Sequence, residues 1–287
     1  MDLSRRCREF WGLNPFEKVT PFPVHLDGAE GLFTWPAFEE VVDGIITAVA
    51  RRQFLIVSGA TCSAKSTAWD QARRRLADEF PTLRVCAPGG LDPAAYTEGT
   101  IYSAVKQTLS PFTHTPRIRE DRARQVRGLL EKSNADREPV VLAINDAHCC
   151  RLDFLLCCKR QWDSLDGYDR LLCLLLIGQP GLVSLIQGRT EISQRSEVVK
   201  MPGLGAHIPA YVAHEWARCS TEPQKPAPFD ETAWRELGKL VTEDWAARRD
   251  HPLIVNRIVS RALFEAWRVK QRTVDASIIA KAIGAER

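Results

Sequence analysis

The sequence predicts an α/β protein: a parallel sheet flanked by helices, followed by a small C-terminal all-helical lid. Three observations carry that prediction. Short continuous apolar runs at 54–57, 140–144 and 171–177 have the length of strands and no alternation, as strands covered on both faces do. Helical spacing fills the stretches around them, which is the alternation of an open parallel sheet. The first apolar run enters a loop of small residues, Gly59-Ala60-Thr61-Cys62-Ser63-Ala64, then Lys65-Ser66-Thr67 and a helical pattern. Strand, loop and helix in that order seat a phosphate. Loop N–H groups curl around its oxygens, the helix N-terminus faces the anion, and a lysine reaches the terminal phosphates.

With 287 residues, 45% hydrophobic and 26% charged, the chain reads as an ordinary globular protein of one large or two modest domains. The expected division is an N-terminal arm over 1–34, a nucleotide-binding α/β domain over 35–204 and a helical lid over 205–287. Phe10-Trp11-Gly12-Leu13-Asn14-Pro15-Phe16, with Pro21 and Pro23 after it, reads as an extended aromatic arm that packs on its own domain or on a neighbouring subunit. Phe38, Val41, Val42, Ile45, Ile46 and Val49 recur at helical spacing and lead into the first strand. After the loop, 67–80 reads as a helix with Arg73, Arg74 and Arg75 on a solvated face, and 83–86 as a second strand. Ala87-Pro88-Gly89-Gly90-Leu91-Asp92-Pro93 is a loop, and helices are expected at 94–109 and 115–134. The strands at 140–144 and 171–177 end in Asn145-Asp146-Ala147-His148 and Gly178-Gln179-Pro180, and 198–201 is the last short strand. Helices follow at 208–219, 230–240, 251–268 and 274–283, with Asp230 placed to cap its helix.

A net charge of +3 gives no global bias toward nucleic acid, so local patches must carry that case. The first eight residues are charged and lack the apolar stretch of a signal peptide, and no apolar run approaches the ~20 residues of a membrane span. A cytoplasmic protein without membrane contact is expected, its nine cysteines reduced. The adjacent pairs Cys149-Cys150 and Cys157-Cys158 have the wrong spacing for zinc and read as buried small hydrophobes.

The chemistry of a nucleotide loop calls for a nucleotide with Mg²⁺, the hydroxyl of Ser66 on the metal and residues 59–67 around the phosphates. Ala64 stands where that loop carries its second glycine, which implies strain or weaker binding. Hydrolysis needs an acidic pair at a neighbouring strand tip, one carboxylate toward the metal and one toward the attacking water. Asn145 is neutral, and Asp146 either fills the base position or shifts to the metal. Weak turnover is therefore expected, with binding less affected. Gln179 at the next tip is the expected sensor of the terminal phosphate. Arg189 and Arg195 are candidates for a finger reaching a neighbour's nucleotide. Lys106, Arg117 and Arg124 read either as phosphate contacts for DNA or as a solvated helix face softened by Glu120, Asp121 and Glu131.

The nucleotide loop, the tip at 145–148, Leu175-Leu176-Ile177-Gly178-Gln179-Pro180, the aromatic N-terminal segment and His251-Pro252-Leu253-Ile254-Val255-Asn256 occur in the order of an AAA+ ATPase. More narrowly, the chain resembles the branch holding the TnsC and MuB transposition ATPases and the ExeA/GspA secretion ATPases. Leu253 replaces the arginine of that branch's lid motif, with Arg257 one turn on. The resemblance implies a homo-oligomer, ring or helical filament, that forms with ATP on duplex DNA and recruits or stimulates a transposase. It also implies DNA contacts from the region 89–124, which makes Lys106, Arg117, Arg119 and Arg122 candidates. The alternative is a nucleotide-switched, ExeA-like scaffold that binds a protein partner without DNA.

Overall fold

The computed structural model describes residues 3–14, 22, 31–90, 92–242 and 249–285. Pro15, Phe16, Pro21, Pro23 and Leu91 lie outside the described residues. In chain order the elements are α1 (Arg5–Trp11), α2 (Pro36–Ala50), β1 (Phe54–Ser58), α3 (Lys65–Glu79), β2 (Arg84–Cys86), α4 (Glu98–Leu109), α5 (Arg119–Ala135), β3 (Val140–Ile144) and α6 (Leu152–Trp162). They continue with β4 (Leu165–Asp166), β5 (Asp169–Arg170), β6 (Cys173–Gly178), α7 (Pro180–Gln187), α8 (Thr190–Ser193), β7 (Glu197–Lys200), α9 (Ile208–Cys219), α10 (Glu231–Gly238), α11 (Pro252–Arg268) and α12 (Ala276–Gly284). Two compact units result, one from 39–61 and 65–201, the other from the described parts of 1–38, 62–64 and 202–287.

The first unit is a five-stranded parallel sheet in the order β2-β3-β6-β1-β7. The three central strands are the continuous apolar runs, buried at every position, and the shorter edge strands β2 and β7 are partly exposed. The register sets Ser58 beside Gly178 and Ile144 beside Leu176, so the C-terminal tips of β1, β3 and β6 share one edge of the sheet. A hydrophobic core covers one face of the sheet. Phe54, Leu142 and Leu174 of the strands pack with Ile101, Leu130 and Phe154 of the helices, each contributing about 1.5–3 kcal/mol by burial. Arg73, Arg74 and Arg75 lie on a solvated face, as expected.

The second unit is helical. Asp230 caps α10 by accepting the Ala233 amide (2.8 Å), as the sequence predicted. Phe33 sits 5.5 Å, centroid to centroid, from both Tyr211 and His214. The N-terminal segment differs from the extended arm expected. Residues 5–11 form α1, begun by Ser4, whose hydroxyl accepts the Cys7 amide, and ended by Gly12 in a left-handed conformation (φ 68°). The turn signal at Gly12-Leu13-Asn14 is thus a helix terminator. Trp11 donates its indole N–H to the Leu263 carbonyl (3.0 Å), and Leu13 bridges to Ser220.

Three further differences have local causes. The helix expected from 94 begins at Glu98, after a 3-10 turn at Pro93–Ala95, because the Thr97 amide closes onto Thr100 Oγ1 (3.0 Å). The helix expected from 115 begins at Arg119, since 110–118 is a loop whose carbonyls accept from Lys106 and Arg122. The hairpin β4–β5 was not anticipated.

Candidate nucleotide-binding site

The nucleotide loop leaves β1 beside the tip of β6, and the Gly59 amide donates to the Gly178 carbonyl (3.1 Å). Cys62 and Ala64 both take left-handed backbone, φ 69° and 65°. Residues of that kind turn successive N–H groups toward one concave side, which is how a loop cradles an anion. The strain expected at Ala64 is therefore present, since an L-residue pays roughly 1–2 kcal/mol there. The helix α3 starts at Lys65, so its positive end faces the loop. Lys65 Nζ donates to the carbonyls of Gly59 (2.9 Å) and Ala60 (2.8 Å), which holds the ammonium over the loop.

The strand order brings the expected partners together. β6 lies between β1 and β3, so Gln179 follows the strand that neighbours both the loop and the tip carrying Asn145 and Asp146. Gln179 starts α7 with no cap bond from its side chain, leaving the amide for other use. Asn145 and Asp146 are exposed, and Asp146 is left-handed (φ 50°). His148 Nδ1 stands 4.0 Å from Asp146 Oδ1. The turn that carries them packs on Gly178, where a side chain would meet Leu182 at 2.9 Å and the His148 backbone at 3.1 Å. Gly178 thus lets the tip before Gln179 pack closely against the turn after Asp146. Its sequence signal is the glycine closing an otherwise bulky apolar strand.

A triphosphate with a divalent cation fits this set. The loop supplies left-handed N–H donors, α3 its N-terminus, Lys65 a cation, Ser66 an exposed hydroxyl and Asp146 an exposed carboxylate. One carboxylate stands at the tip where a hydrolase carries two, and Asn145 fills the other place.

The arginines separate. Arg195 donates to Asp163 Oδ1 (2.8 Å), in a cluster with Lys159 and Arg170. Burial opposes ionisation of Asp163, but the Lys159 and Arg195 contacts outweigh it and lower its pKa. Arg189 is exposed at the start of α8 and, among the described residues, makes no side-chain bond. Of the DNA candidates, Arg119 binds Glu98 (2.7 Å) and Arg124 binds Asp121 (3.1 Å). Lys106 donates to the Pro111 carbonyl (3.3 Å) and Arg122 to that of Pro116 (2.6 Å). Arg117 is exposed and makes no side-chain bond among the described residues.

Cys150, Cys157 and Cys158 are buried as expected, and burial pushes the Cys150 thiol up to about 12. Cys149 corrects that reading. It is exposed, with Sγ 3.4 Å from His148 Nε2, because the 3-10 turn at Ala147–Cys149 turns its side chain outward.

The parallel strand order gives an α/β fold that matches solved AAA+ ATPase structures. The solved structures it is similar to include Cdc6p from Pyrobaculum aerophilum, with TM-score 0.61 and 13% identity over 86% of this chain and 66% of that one. They also include the Aeropyrum pernix ORC1 protein in complex with DNA, with TM-score 0.56 and 14% identity over 91% of this chain and 68% of that one. Drosophila ORC bound to DNA is a third, with TM-score 0.58 and 14% identity over 91% of this chain and 63% of that one. The chain therefore spans about two thirds of the length of these relatives. No family model and no curated protein matches the sequence. Among the described residues, no helix is long and apolar enough to cross a membrane.

Proposed function

We propose that the chain is an ATP-dependent, sequence-tolerant DNA-binding regulator of DNA transposition, which assembles with itself on duplex DNA and recruits or stimulates a transposase. The observation that carries the reading is Lys65, held over a loop of left-handed residues at the start of α3. When bound, Mg²⁺ would neutralise charge on the triphosphate. Residues 59–67 hold the phosphates, Ser66 and Asp146 offer oxygens to the metal, and Gln179 reads the terminal phosphate. Arg189 is the better finger, because Arg195 is committed to Asp163. With Asn145 beside Asp146, turnover is slow and the bound state long-lived.

DNA as partner draws support from the two similar ORC structures that hold DNA, and from the exposed Arg117 on the loop before α5. Lys106 and Arg122, held on backbone carbonyls, add positive potential there, and Arg119 and Arg124, paired with Glu98 and Asp121, complete the candidate face. The transposase reading rests on the sequence resemblance.

Filter binding of duplex DNA across a salt series, with and without a non-hydrolysable ATP analogue, tests the proposal. Binding stimulated by the analogue, weakened by salt and lost in Lys65→Ala is expected. Equal binding in all three conditions would overturn it. Nucleotide-driven oligomers without DNA affinity would instead select the scaffold that binds a protein partner.

A further inference from the structure

Arginine stands at or just before the first residue of each strand in the parallel sheet. Arg84 begins β2, Arg137 precedes β3, Arg170 precedes β6, Arg51 and Arg52 precede β1, and Arg195 precedes β7. Because the strands are parallel, this edge is opposite the tips that carry Asp146 and Gln179. Most of these arginines are committed to their own chain. Arg84 pairs with Glu138 (3.0 Å) and Arg195 with Asp163 (2.8 Å), while Arg170 stacks 3.8 Å from the Trp162 ring centre. Arg52 donates to Asn134 and to the Arg170 carbonyl (2.6 Å).

Arg51 and Arg137 are different. Both are exposed, and among the described residues their side chains bind nothing. They border a recess of about 600 Å³, together with Arg52, Arg170 and Tyr168. Asp169 is the one acidic residue lining it. Arg52 and Arg137 both sit in left-handed turns, φ 52° and 58°, a conformation held at a cost. Tyr168 is fully exposed at the tip of the hairpin β4–β5, beside Gly167 in its left-handed turn (φ 62°). The ends of α2 and α5 also meet this recess, and Arg52, bonded to Asn134 near the end of α5, already answers those negative poles. Arg51 and Arg137 remain in excess.

We propose that this recess binds an acidic segment of a partner protein. Arg51 and Arg137 take its carboxylates, for which the guanidinium fork is shaped. Tyr168 packs on an apolar side chain beside them, the role in which exposed tyrosines anchor interfaces. Duplex DNA is disfavoured here, since it is gripped by a run of free cations along a surface, and this recess offers two. The proposal is independent of the nucleotide site.

Fluorescence anisotropy of the full chain with a labelled Glu/Asp-rich peptide bearing one phenylalanine tests it, with duplex and single-stranded oligonucleotides of equal charge as competitors. Saturable peptide binding is expected, weakened about tenfold or more in R51E/R137E and about fivefold in Y168A, and unchanged in K65A. Tyr168 is fully exposed, so Y168A remains informative if the double variant does not fold. Absence of peptide binding, binding insensitive to Tyr168→Ala, or displacement of the peptide by oligonucleotides at lower concentration would each overturn the proposal.

Discussion

At Ala64 the nucleotide loop keeps the backbone a glycine would take, without the glycine (φ 65°). The strain is legible in the sequence, because the loop position and the residue type are both set by it. The left-handed Asp146 is not, since it depends on how the turn packs against Gly178. Ala64→Gly removes a cost of roughly 1–2 kcal/mol and adds about 0.5–1 kcal/mol of glycine entropy. The variant should be slightly more stable, by up to about 1.5 kcal/mol, and bind ADP more tightly. Thermal melts and nucleotide titration measure both, and a weaker nucleotide affinity would contradict the strain.

Among the elements, the central strands were legible because burial on both faces writes continuous apolar runs. The hairpin β4–β5 was also encoded, in the glycine that opens its two-residue turn Gly167-Tyr168, but its strands are too short to show any alternation. The helix α1 was hidden by the aromatic, turn-rich residues at its end. Caps decide where the C-terminal helices start. At α12, the Ser277 hydroxyl, Gln271 and the Ile278 amide hold the Asp275 carboxyl down to about 2. A depressed folded pKa gives stability that is present above the ordinary carboxylate value of about 3.9 and lost as pH falls through about 2. Asp275→Ala should cost about 1 kcal/mol at neutral pH, and the difference from the parent should shrink in urea melts as pH falls through about 2. The connector into the helical unit has a second marker. A methyl group on Gly203 would overlap the buried carboxylate of Asp250, which accepts the Gly205 amide (2.8 Å). Gly203→Ala should destabilise by about 1–3 kcal/mol in chemical denaturation, and a shift under about 0.5 kcal/mol would show that the connector yields freely.

For the whole molecule, the parallel order β2-β3-β6-β1-β7 is what gathers the loop, Asp146 and Gln179 on one edge and leaves the arginine-lined edge opposite. Motif order in the sequence was enough to expect the first gathering. The second needs the strand order, because its arginines are scattered from 51 to 195. The proposed assembly belongs to this scale: a chain that gripped duplex DNA through few free cations per copy would gain affinity by linking copies. Electron microscopy of the protein on duplex DNA with a non-hydrolysable ATP analogue tests this most directly. Rings or filaments on the DNA with the analogue, absent without it and absent in Lys65→Ala, are predicted. Bare DNA with the analogue, or the same assemblies from Lys65→Ala, would contradict the account.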